Sequence, residues 1–276
     1  MQENILNNLD IIADKIFKSV ETQIFPLLDK ILVISQDILK EEPLKNFFFE
    51  NKINGIIIIA NSLILFNIIY YAFTFIISIY NGNKVENVYK FILKIIVIAV
   101  VVNNSYYICS LILEFFHILT NCFDSFFEQV ISTKINFVSL KENITDIAQI
   151  MNNDIFSVDG VIKGIISFGA VSLLINFSIR YVTIIFLIAI SPIVFIFSAN
   201  NFMRGIFDVW IKMFITSLSI QIIVKFIIFI PISYKSKDTL LYKIILVGAI
   251  YLLYQVNNFT NQILQKINER KVWWKI

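Results

Sequence analysis

The chain has 276 residues, of which 58% are hydrophobic and only 16% charged, with a formal net charge of +3. Water-soluble domains carry roughly 25% charged residues, so this composition excludes an ordinary soluble domain and points to a membrane protein. The small, dispersed positive balance leaves no global nucleic-acid footprint.

Ile, Phe, Lys and Asn exceed Ala, Gly and Arg, as AT-rich codons would produce, which points to a low-GC bacterium. The first residues, MQENILNNLDIIADK, carry Glu3 and Asp10 where a secretory signal would be basic, and no apolar core follows, so no cleaved signal is expected. Ile5, Leu9, Ile12, Ile16 and Val20 recur at helical spacing. Residues 1–52 are therefore expected to form an extracellular amphipathic helical segment, lying on the membrane or on a partner.

A spanning helix needs about 20 mostly apolar residues. Residues 53–80 are free of charge and end at Asn81-Gly82-Asn83, a strong turn signal, which gives a first span. Residues 95–113 give a second, with Asn103, Asn104 and Ser105 near its middle. Domain 53–113 thus holds two spans.

Residues 114–160 are expected as a large extracellular helical loop. Its start, LILEFFHILTNCFDSFFEQVI, sets Ile112, Phe116, Leu119, Phe123, Phe126 and Val130 at helical spacing, so the second span should continue outward as an amphipathic helix. Its phenylalanines, Phe116, Phe123, Phe126 and Phe127, either pack on the chain itself or form a subunit contact. Ser139 with Glu142 fits a capping box for a helix through Met151, and Asp159 is a candidate cap for the next span. Cys109 and Cys122, on one helix, stand about 20 Å apart, too far to bridge.

Domain 161–276 is expected to hold three spans and a basic tail. Its first apolar stretch contains Arg180 and, at Ser191-Pro192, a helix breaker. It reads as a span over 161–190 with a kinked or re-entrant continuation over 193–199, or as a hairpin turning at Arg180, which would raise the count to six. Residues 207–232, closed by Pro231, and 240–256 complete five spans. The fold class is all-α, a polytopic transmembrane helical protein with extracellular amphipathic helices.

Basic residues mark the cytoplasmic side. Lys84, Lys90 and Lys94, then Arg204 and Lys212, then Lys266, Arg270, Lys271 and Lys275 assign their segments to it, whereas 114–163 has seven acidic residues against three lysines and 1–52 has nine against six. The expected arrangement is a multi-pass protein of the bacterial cytoplasmic membrane, N-terminus outside and C-terminus cytoplasmic. Lys235, Lys237 and Lys243 are misfits, left outside.

Catalytic signatures are missing. His117 is the single histidine, and no HExxH, GxSxG or GxxxxGK[ST] pattern occurs, so no enzyme activity, metal or cofactor is expected. Polar groups at membrane depth remain. An arginine there costs about 2.5–3.5 kcal/mol on insertion scales, so Arg180 must face protein or water unless it snorkels to the interface. Lys225 is expected to snorkel. Asn103, Asn104 and Ser105 line a pore or join helices by hydrogen bonds.

From Arg180 the chain reads R-Y-V, an apolar stretch, Ser191-Pro192-Ile193, another apolar stretch, then Phe207-Asp208-Val209-Trp210. Over residues 161–233 this order resembles the TrbL family, the polytopic inner-membrane channel subunit of conjugative type IV secretion systems. The chain departs from the family in having few glycines and alanines. The resemblance implies a homo-oligomer in the lipid bilayer, working with other secretion subunits including ATPases to pass DNA with its relaxase, or another protein, out of the cell. It also implies that Arg180 is held by neighbouring carbonyls or an acidic group, that Pro192 frees carbonyls, and that Trp210 anchors at the interface. The alternatives are a small-solute or ion channel or transporter, in which Arg180 binds an anion, and a structural membrane component of another assembly.

Overall fold

In the computed structural model, residues 2–45, 48, 55–82, 87–142, 158–198, 204–234 and 240–273 are described, and they are helical throughout apart from short connections. In chain order these are α1 (Gln2–Leu32), a 3-10 turn (Gln36–Lys40), α2 (Glu42–Lys45), α3 (Gly55–Tyr80), α4 (Val88–Asn103), α5 (Ser105–Ile131), α6 (137–142), α7 (Val158–Phe197), α8 (Arg204–Ser233) and α9 (Leu240–Trp273). Four of them, in α3, α5, α7 and α8, are long and apolar enough to cross a membrane, and 240–256 of α9 is a shorter apolar stretch. The protein is a polytopic helical chain.

Two sequence expectations change here. The second span is not one helix over 95–113, because the chain breaks at Asn104, and the spanning length falls instead on Ser105–Ile131. The cause is local. Asn103 and Asn104 donate their side-chain amides to Ala99 O and Val100 O, both at 2.8 Å, so Val100 O is shared with the Asn104 N–H. Such side-chain bonds compete with the helical ladder and favour a local departure from helical geometry, seen at Asn104 with φ −103° and ψ 14°. Residues 114–131 therefore belong to the same helix as 105–113. Conversely, Pro192 does not end the third span, since α7 runs unbroken for 40 residues, about 60 Å. No hairpin turns at Arg180.

Smaller features follow the sequence more closely. The Asn81-Gly82 turn forms, with Gly82 at φ +67°, a left-handed conformation that glycine adopts at no steric cost. Cys109 and Cys122 are free. The helix expected from Ser139 instead starts at 137, where Asn136 Oδ1 accepts the Ser139 N–H at 2.6 Å as the cap; its continuation through Met151 lies outside the described residues. Asp159 falls inside the first turn of α7 rather than before it.

The chain divides into two compact units. One comprises Met1–Ile34, Phe116–Tyr181 and Thr216–Ile276. Its core gathers Phe25, Leu28 and Leu32 of α1, Phe127 of α5, Ile135 and Phe137 after it, and apolar residues of α7, α8 and α9. The end of α1 is thus part of a packed interior, whereas the expected stripe lies earlier and its Ile12 is exposed. The other unit comprises Ser35–Phe115 and Val182–Ile215. There α3 packs along α4, yet only 11% of its most apolar window is buried, against 50% for α7 and for α8. A helix apolar on all sides and so little covered is suited to hydrocarbon.

In the first unit α7 and α9 approach closely at Gly169, where an added Cβ would fall on Ile250 Cγ2. Gly169→Ala is expected to destabilise by about 1–3 kcal/mol through overpacking, more than the roughly 1 kcal/mol that alanine gains in helix propensity. Gly164→Ala, with open space around it, should gain that propensity alone. Thermal unfolding of the two variants in detergent measures the contrast.

Candidate functional site

Arg180 stands near the middle of α7 and is 3% exposed. Its Nε donates to Ser217 O of α8 at 2.6 Å and its Nη1 to Leu32 O at 3.0 Å. Nη2 is buried without a hydrogen-bond partner. Leu32 is the last residue of α1, so its carbonyl belongs to the helix end that has no intrahelical donor and carries partial negative charge. A guanidinium there satisfies the carbonyl and the dipole together.

Gln221, fully buried on α8, completes this arrangement. Its Oε1 accepts the Ile34 N–H at 3.2 Å, and its Nε2 donates to Phe116 O at 3.2 Å. Two long polar side chains thus hold the main chain as it leaves α1. Phe116 O also accepts the Thr120 hydroxyl at 2.8 Å.

One turn further along α8, Lys225 repeats the device. Instead of snorkelling it is 4% exposed, with Nζ donating to Asp124 Oδ2 at 3.0 Å and to Ile135 O at 2.7 Å. A lysine with a carboxylate and a carbonyl inside the protein does not need the interface. From α1, Asp29 accepts the Phe137 N–H at 2.7 Å and the Val138 N–H at 3.0 Å. The segment 135–138 is therefore gripped by a cation on its carbonyl and an anion on its amides. Ser217, Gln221 and Lys225 lie four residues apart and so share one face of α8.

Burial pushes the Asp29 carboxyl above its usual 3.8, although the Phe137 and Val138 amides and the Lys225 charge pull the other way; Asp124 adds to the rise. The folded chain then holds this proton to higher pH than the unfolded chain does. Stability from this group is greatest below 3.8 and falls as pH climbs through the raised value. Asp29→Asn should flatten that slope, as unfolding in detergent across the acid range would record.

Pro192 and Trp210 both belong to the other unit. Pro192 lacks the N–H that would reach Ile188 O, and the Ser191 hydroxyl donates to that carbonyl at 2.8 Å. Trp210 Nε1 donates to Leu187 O at 2.9 Å, and its ring stacks on Phe214 with centroids 5.3 Å apart. At 3% exposure Trp210 is packed inside this unit and bonded to the main chain of α7.

The remaining expected residues are more local in effect. Asn103 and Asn104 are exposed and bonded within their own helix. Of the four phenylalanines, Phe116 and Phe127 are buried; Phe127 packs on Phe229 at 4.5 Å and Phe226 at 5.0 Å, and Phe123 is half-buried on Phe226 at 5.1 Å. Only Phe126, 60% exposed, keeps a free face. The inward line is Phe116, Thr120 and Phe127, with Asp124 half-buried between, one step around the helix from part of the expected stripe. His117 is half-buried, with Nε2 3.2 Å from the Asn121 amide. Among the described residues no cluster of three or more His, Cys, Asp or Glu is placed to hold a metal.

No family model, curated protein or solved structure matches this chain.

Proposed function

We propose that the chain is a channel or scaffold subunit of a bacterial type IV secretion machine of the TrbL kind, assisting DNA or protein across the cytoplasmic membrane. The observation that carries this reading is the hold of two α8 side chains, Gln221 and Lys225, on non-helical main chain at Ile34 and Ile135, with Arg180 of α7 on the last carbonyl of α1. Such backbone at membrane depth is tolerated where protein or a water-lined cavity satisfies it, and it recurs where membrane proteins open paths. A plain anchor has no use for it. Support also comes from the motif itself: Arg180 has carbonyl partners of the kind the resemblance implies.

On this reading the subunit is multi-pass, with its C-terminus cytoplasmic, works as a homo-oligomer, and draws energy from partner ATPases reached through its basic edges. Cargo crosslinking during transfer tests it: DNA or relaxase should crosslink to the chain, and normal transfer from cells lacking the chain would refute it. One observation favours a solute transporter instead, namely the unpartnered Arg180 Nη2, which an anion would suit. Uptake of an anionic solute by vesicles containing this protein alone would decide for that reading.

A further inference from the structure

We infer that the polar face of α8, formed by Ser217, Gln221 and Lys225, borders a water-accessible path that is closed by the end of α1 and by the segment 135–138. The inference rests on the channel part of the reading above and is independent of which machine uses it.

Three polar positions at four-residue spacing run for about 12 Å along a helix that is otherwise largely apolar. Packing alone would be served better by apolar residues, since each buried polar group must find a partner or lose free energy. Here most partners come from main chain: Ile34 N after α1 and Phe116 O of α5 for Gln221, and Ile135 O after α5 for Lys225. Arg180 faces the same place from α7, and Asp124 from α5.

Such contacts can be exchanged for water. If the end of α1 withdraws, water can donate to and accept from Gln221 at once and can hydrate Arg180, whereas an uncovered apolar face would gain nothing. In the closed state no protein group accepts from Arg180 Nη2, so a water reaching it on opening would find a free donor. A face that is stable both covered and wet is what a two-state gate requires.

The test uses the full chain in liposomes, with Cys109 and Cys122 replaced by serine and a single cysteine introduced as Ser217→Cys. A charged, membrane-impermeant thiosulfonate is the probe. The cysteine should react slowly in the closed protein. Adding Gln221→Leu, which keeps side-chain bulk but loses the bonds to Ile34 N and Phe116 O, should raise the rate at least about tenfold, the factor that corresponds to losing about one hydrogen bond. Ile230→Cys, on the exposed face of α8, should not change.

Ile34→Pro removes the same bond from the other side and should act alike, so a misfolded Gln221→Leu chain would not end the test. Unchanged reactivity of Ser217→Cys in either folded variant overturns the inference, as does an equal rise at Ile230→Cys, which would mean general loosening. Parallel transfer assays separate the two readings. Faster labelling with transfer unaffected keeps the path and removes the secretion machine; loss of transfer with labelling still slow keeps the machine and removes the path.

Discussion

An Arg180→Ala chain is expected to free the end of α1 and, on the proposed secretion reading, to lose transfer to background. The reason is that Leu32 O and Ser217 O both lose their guanidinium donor. Ser217 O keeps its helical donor, whereas Leu32 O at the end of α1 is orphaned, which costs about 1–3 kcal/mol. Amide hydrogen exchange at Ile34, whose N–H is held nearby by Gln221, should accelerate roughly 5- to 100-fold. Global stability should move less than these losses suggest, because removing a cation that lacks a carboxylate also removes its desolvation penalty of several kcal/mol. Arg180→Met, which retains most of the side-chain volume, separates the effects: near-normal unfolding temperature, fast exchange at Ile34 and no transfer. A variant with slow exchange and full transfer would mean that Arg180 holds nothing that matters.

That arginine shows how far the sequence could be read. Its oddity was visible, since a permanent charge within an apolar run needs shelter. Its partners were not, because backbone carbonyls leave no trace in side-chain identity, and Leu32 looks like any other leucine. Gln221 was missed for the same reason, although its spacing of four from Ser217 and Lys225 is a signal that a scan for polar stripes on spanning helices would have found.

The helices themselves were legible where composition alone decides, as in α3 with its Asn81-Gly82 turn and in α8 with Pro231 near its end. Their limits were harder where local bonds compete. Asn103 and Asn104 read as lining groups in the sequence, but their amides bond back to their own helix where its geometry is interrupted. Pro192 looked like a terminator but is accommodated, because the Ser191 hydroxyl serves the carbonyl left open. The phenylalanine stripe of α5 was placed part of a turn away from the true inward face, since a helix with apolar residues on several sides gives periodicity little to choose between.

The clearest energetic test lies at Lys225, where the sequence suggested snorkelling and the structure provides a partner 101 residues away. Lys225→Met should destabilise the first unit by about 1–3 kcal/mol, below the cost of breaking a fully buried ion pair because Asp124 is half-buried and keeps access to water. It strands Asp124, whose Oδ1 already lacks a partner, and it releases Ile135 O from the only cation placed on it among the described residues. Replacing both members, as Lys225→Met with Asp124→Leu, should recover most of that loss, because the desolvation penalty of the pair disappears with its attraction. The remaining deficit then measures the grip on segment 135–138 rather than the ion pair. A double-mutant cycle of unfolding in detergent separates the terms. If the single variant unfolds like the native chain, the Lys225 ammonium reaches water after all, and the closed face of α8 loses one of its three polar positions.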